Sequence, residues 1–187
     1  MKTLETEQEA KAGLIHLRVR ELYQLFNSLD PSPFIERDLD DDAVAYIVSW
    51  AREIPGDLAI RLRVDLTDSK LAGDPQPVLE GAVRNYFEYK VQLTRNAFRQ
   101  LMRRGRLSLV IGLAALFSAT AISTALASAA GGAVTRLTQE VILVGGWVAM
   151  WRPIEIFLYD WWPLLREQRD YERLRDMQVE VVVQPAA

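Results

Sequence analysis

The chain has no cysteine. Disulfides, thiol nucleophiles and cysteine-ligated zinc or iron-sulfur centres are therefore excluded together. Histidine is almost as scarce: His16 stands alone, with neither a second imidazole nor an evident nucleophile to complete a site, so a surface or packing role is expected of it. There is no large excess of either charge. The formal net charge of −3 gives no global electrostatic reason to bind nucleic acid. The amino terminus, Met1-Lys2-Thr3-Leu4-Glu5-Thr6-Glu7, lacks the basic start, apolar stretch and small-residue cleavage site of a secretory signal, so insertion into a membrane would have to rely on an internal segment. No set of nucleophile, base and orienting group is present, and no cofactor motif; no enzyme, cofactor or metal centre is expected.

Charge itself is absent from one long stretch. Acidic and basic residues are dense before Arg106, but from Leu107 to Thr135 there are 29 consecutive residues with none. A helix needs roughly 20 apolar residues to cross the hydrocarbon of a bilayer. One span and part of a turn fit this run. Ser128 to Gln139, with Gly131, Gly132 and Arg136, reads as the turn. A second span then starts near Glu140 or Val141 and leaves near Trp161 and Trp162. Arg95, Arg99, Arg103, Arg104 and Arg106 precede the pair of spans and Arg166, Arg169, Arg173 and Arg175 follow it, whereas the turn offers Arg136 alone. The positive-inside rule places both flanks, and both termini, in the cytoplasm. Tyr159, Trp161 and Trp162 suit the headgroup belt on that side as membrane-interface anchors.

Ala115, Ala119, Ser123 and Ala127 form a ridge of small residues at four-residue spacing in the first span. Small ridges let helices approach closely in lipid. The ridge is expected to serve either as an oligomerisation surface or as the seat of the second span of the same chain.

The segment from Trp151 to Pro163 is the most distinctive. If the second span starts at Val141, Arg152 and Glu155 lie about 16 and 21 Å along it, at a rise of about 1.5 Å per residue. Charges that deep normally face protein or water, which makes Arg152 and Glu155 candidates either for a pore or relay position or for a purely structural buried ion pair. If the span starts near Thr135 instead, Arg152 sits at the cytoplasmic boundary, and Arg136 and Glu140 must snorkel. Three residues apart, Arg152 and Glu155 share a helix face and can pair in either case. Pro153 weakens the helix beside them.

Outside the hairpin, Leu14, Ile15, Leu22, Leu25, Phe26 and Leu29 recur at helical spacing and predict an amphipathic helix from Glu5 to Leu29. Asp38-Leu39-Asp40-Asp41-Asp42 supplies caps for a second helix bearing Val44, Ile47, Trp50 and Ala51, which stops at Pro55-Gly56. The same aspartates lack the glycine and distal glutamate of a calcium loop. Leu58, Ile60, Leu62, Val64 and Leu66 alternate with Ala59, Arg61, Arg63 and Asp65, a strand with one buried and one wet face. A second strand is expected at Gln178 to Gln184, and the two are expected to share a small sheet, within a subunit or between subunits. From Leu79 to Leu101 an amphipathic pattern runs without a proline into the apolar span, predicting one nearly continuous rod.

The expected fold is thus a mainly α membrane protein: a two-span transmembrane helical hairpin (107–162) with a cytoplasmic α+β portion containing a small sheet, built from 1–77, a long amphipathic helix at 78–106, and a helix and strand at 163–187. The expected partners are membrane lipids, further copies of the chain and a cytoplasmic protein. The functions that fit are an oligomeric, channel-like assembly for cations in the bacterial inner membrane, or a non-conducting scaffold or regulatory protein.

Overall fold

Leu14–Val19 is strand β1, not part of a helix. The computed structural model describes residues 13–31, 33, 37–67, 74–129 and 132–183; residues 5–12 of the helix expected at Glu5–Leu29 lie outside them, and the rest is a strand followed by one short 3-10 turn, Leu22–Leu25. The reason lies in the pairing. Ile15, Leu17 and Val19 alternate, and they align in parallel with Leu62, Val64 and Leu66 of the central strand, β2 (Arg61–Leu66). That ladder satisfies every second backbone group of β1 and buries Ile15 completely, which outweighs a helical pattern whose last member, Leu29, is 89% exposed. Gly13 turns the chain into the strand at φ +70°, where a Cβ would collide with the Ala59 carbonyl, so only glycine fits there without strain.

Helix α1, Asp41–Glu53, follows as expected. The Asp40 carboxylate accepts from the N–H groups of Asp42 and Ala43, and Asp41 and Asp42 add negative charge to the first turn. The helix buries Ile47 and Ala51. Its far end is closed by Arg173, whose guanidinium donates to the carbonyls of Ile54, Pro55 (2.8 Å) and Leu58. A cation on the last carbonyls of a helix complements its dipole.

Beyond β2, helix α2 runs from Pro75 to Ala129 as a single 55-residue element, the continuous rod that the unbroken sequence pattern predicts. It is followed by α3 (Ala133–Ala149), α4 (Trp151–Glu155), a π-helical turn (Ile156–Asp160), α5 (Trp161–Arg175) and strand β3 (Gln178–Val183). The turn expected over Ser128–Gln139 is shorter: Arg136 and Gln139 already lie on α3.

Two compact units result, Met1–Leu93 with Glu167–Ala187, and Thr94–Arg166. In the first, β1, β2 and β3 form an all-parallel sheet in that order, with Leu62 opposite Val179 and Val64 opposite Val181. One sheet face joins Ile47 and Ala51 of α1, Leu79, Val83 and Phe87 of α2 and Leu174 of α5 in a single apolar cluster. Burial of a side chain such as Phe87, which is wholly inaccessible, contributes roughly 1.5–3 kcal/mol. In the second unit the two long helices that carry the apolar runs are long and apolar enough to cross a membrane.

Candidate functional site

The second unit is an antiparallel pair whose contacts are set by glycines. A Cβ on Gly146 would lie 2.9 Å from Ala119 Cβ, and one on Gly112 would lie 2.9 Å from the Ala149 carbonyl oxygen and 3.0 Å from Met150 Sδ. A Cβ on Gly105 would meet Ile156 and Phe157. At the closed end, Gln139 Nε2 donates to the Ser123 carbonyl at 3.1 Å. Small residues permit this approach, as they do wherever helices pack without a hydrophobic drive. Of the ridge residues, Ala119 and Ser123 are buried against the other arm of the hairpin, Ala115 is half-buried, and Ala127 is exposed.

At the open end stands the charged cluster. Arg152 Nη1 contacts Glu155 Oε2 at 3.1 Å and Asp160 Oδ2 at 3.3 Å, and Trp151 Nε1 donates to the other Glu155 oxygen at 2.8 Å. The pair of Arg152 with Glu155 is the one that their spacing predicts. Asp160 was not expected to join. In a regular helix a residue eight positions on is turned about 80° away, but the π turn at Ile156–Asp160 inserts one extra residue, which returns Asp160 to the face of Arg152.

Pro153 explains why the helix is irregular here. Proline has no N–H to give to the carbonyl four residues back, and its ring crowds that carbonyl. The break falls in front of it, at Met150, whose N–H turns back to Trp147 at 3.0 Å. Nothing in the sequence pattern announces the π turn that follows.

The level of the cluster along the hairpin follows from its contacts. Arg152 and Glu155 lie between Met150, seated on Gly112, and Ile156, seated on Gly105. The charge-free run on the opposite arm starts at Leu107, between the same two glycines. Arg152 and Glu155 are therefore level with the start of that run and far from its middle. Of the three aromatics expected to be interface anchors, Tyr159 and Trp162 are exposed; Trp161 is half-buried and donates to the Phe157 carbonyl at 2.9 Å.

A second cluster, on the sheet, is one that sequence reasoning missed. Asp65 is 6% exposed although it alternates onto the polar face of β2. It accepts from His16 Nε2 at 2.8 Å and Arg63 Nε at 3.1 Å, with Arg18 Nε at 4.0 Å. Burial works against its negative charge, but the hydrogen bonds and charges of His16 and Arg63 outweigh that and hold its carboxyl below the usual value. His16 and Arg63 occupy facing positions in the β1–β2 register, as do Arg18 and Asp65. Only a known register could have brought these four together. Asp40, meanwhile, is committed to capping α1. Among the described residues, no three histidine, aspartate or glutamate side chains converge as metal ligands.

No protein-family model, curated protein or solved structure matches this chain. Each residue role therefore rests on geometry.

Proposed function

We propose that the chain is a two-pass protein of the cytoplasmic membrane that works as a scaffold or regulatory module. Leu107 to Trp162 crosses the bilayer twice, and the sheet unit stands in the cytoplasm and binds a protein partner there. The observation that carries the membrane reading is how little the two apolar helices hide: only 17% of the most apolar 18-residue window of each is buried. In the core of a soluble protein such stretches would be largely covered, whereas Val110, Phe117, Val141 and Trp147 are all more than 60% exposed.

The β2–β3 ladder supports placing both flanks on one side. β2 precedes the hairpin and β3 follows it, yet they share six registered positions, so an odd number of spans would separate two strands that must meet. Arginine on the flanks supports the cytoplasm as that side.

The non-conducting reading is supported by the charged cluster. Both oxygens of Glu155 are engaged, and its charge and that of Asp160 are drawn to one arginine. Its level with Leu107 favours the boundary of the hydrocarbon over its centre. A groove of about 560 Å³ between the loop after α1 and α5, lined by Asp57, Arg169, Glu172 and Asp176 among others, is a polar surface open to a partner.

One observation favours a second reading. Arg152 and Glu155 remain 62% and 38% exposed on a hairpin otherwise clad in apolar side chains, which favours cover from a further copy of the chain and leaves room for a channel-like homo-oligomer selective for cations. Reconstituting wild type and Glu155→Gln in liposomes, with particle size measured beside ion flux, decides between them. The scaffold predicts background flux from both. Cation flux from the wild type that falls in Glu155→Gln at unchanged size would establish the channel.

A further inference from the structure

The first arm of the hairpin enters its apolar run behind a charge imbalance that nothing in its own unit relieves. Between Glu88 and Glu140 the sequence has no acidic residue, and on α2 just ahead of Leu107 stand Arg99, Arg103, Arg104 and Arg106. All four are exposed, and among the described residues none has an ion-pair or hydrogen-bond partner. Several other arginines are engaged within the protein: Arg173 closes α1, Arg175 pairs with Glu88, Arg52 with Asp170, and Arg152 with two carboxylates.

The helix also aims them outward. Gly105 and its neighbours Phe98, Leu101 and Met102 take the packed side, with Gly105 buried against Ile156 and Phe157. At about 100° per residue, Arg99, Arg103 and Arg106 gather within about 60° of one another on a side turned away from that contact, and Arg104 lies beyond them. The second arm does not balance them, since Arg152 there already faces both Glu155 and Asp160.

We propose that these four arginines bind the anionic headgroups of the cytoplasmic leaflet, so that the protein gathers acidic phospholipid around the entrance of its first span. The inference rests on the two-pass reading of the hairpin and names the lipid class that reading leaves open. Arginine forks match phosphate oxygens in geometry as well as charge, and a polybasic segment beside a span is drawn to an anionic leaflet by about fivefold per residue close to the surface. The attraction decays over about 8 Å at physiological salt. With a rise of about 1.5 Å per residue, Arg103, Arg104 and Arg106 lie within that distance of Leu107 and Arg99 about 12 Å from it. Arg95 stands about 18 Å away, beyond two decay lengths, and contributes little.

The test is the full chain reconstituted in phosphatidylcholine vesicles carrying 20–30% phosphatidylglycerol (roughly the range where the leaflet potential is appreciable), with the lipid in contact with protein read by spin-labelled analogues of each headgroup. Wild type is expected to favour the phosphatidylglycerol label several-fold. The quadruple Arg→Gln variant at 99, 103, 104 and 106 should lose most of that preference, and Arg95→Gln should keep it. Sodium chloride and sodium phosphate of equal ionic strength should weaken the preference equally. A quadruple variant that floats with the vesicles, keeps wild-type helicity and still selects phosphatidylglycerol overturns the proposal while leaving the two-pass reading intact. A wild type that floats with no vesicle overturns both. Selectivity abolished by phosphate but not by matched chloride would assign the arginines to a discrete phosphate ligand instead. Arginine-dependent binding of a nucleic-acid duplex without lipid preference would likewise overturn the assignment to lipid.

Discussion

The side-chain amide of Gln76 does for Val181 what a neighbouring strand would do. Gln76 Oε1 accepts the Val181 N–H at 2.7 Å, and Gln76 Nε2 donates to the Val179 carbonyl. A residue in a parallel strand makes the same two bonds, to a carbonyl and an N–H two residues apart. The first turn of α2 thereby occupies part of the outer edge of β3, which would otherwise offer an unpaired backbone next to a run of valines.

Gln76→Leu should therefore destabilise the sheet unit by about 1–2 kcal/mol, the scale of two neutral hydrogen bonds whose backbone partners are left part-buried. Hydrogen exchange localises the effect. The Val181 amide should exchange faster in the variant, and the Val64 amide, on the central strand, should change much less.

The glycines of the hairpin provide a matched pair. Gly146 faces Ala119, while a side chain at Gly145 would meet nothing within 4 Å. Gly146→Leu should separate the arms at a cost of about 1–3 kcal/mol, and Gly145→Leu should be nearly neutral. Because the protein has no cysteine, a Ser123→Cys and Gln139→Cys pair can report the approach of the arms by disulfide formation. The yield should fall in the first background and hold in the second.

Acid should unlock the sheet through Asp65. Its carboxyl titrates below the unfolded value of about 3.9, so the folded state binds that proton less readily than the unfolded chain. The resulting stability is fully present above about pH 4 and is lost as pH falls through the folded value. Denaturation curves between about pH 6 and 2 should show wild type losing stability on the acid side. Asp65→Asn should be less stable at neutral pH and flatter in acid. An unchanged acid slope in the variant would remove Asp65 from this role.

Much of this architecture is legible from the sequence, and what escapes it has identifiable causes. Asp40 and Pro55 bracket α1 by local chemistry. The rod from Pro75 onward, the two apolar helices and the alternation of β2 and β3 all follow from periodicity. β1 escaped because Leu14, Ile15, Leu22 and Leu25 satisfy a helical period as well as a strand does locally; only β2, more than forty residues further on, decides the matter. Parallel order cannot be read from strands that never meet in the sequence. Asp65 looked solvated because alternation assigns a face and says nothing of the neighbours waiting on it. Asp160 was not linked to Arg152 because regular helical geometry turns it away, and a π turn is a response to packing that composition does not encode.

A hairpin that crosses the bilayer twice and returns β3 to β2 is the central feature to test. Single cysteines placed in the native cysteine-free chain at Ser49, Gly132 and Gln178 test it, labelled in sealed inner-membrane vesicles and in intact spheroplasts with a reagent that does not cross lipid. All three positions are exposed. Ser49→Cys and Gln178→Cys should label only where the cytoplasmic face is outward, and Gly132→Cys only where the opposite face is. Labelling of all three from one side, or release of the protein from membranes by alkaline carbonate, would contradict the account.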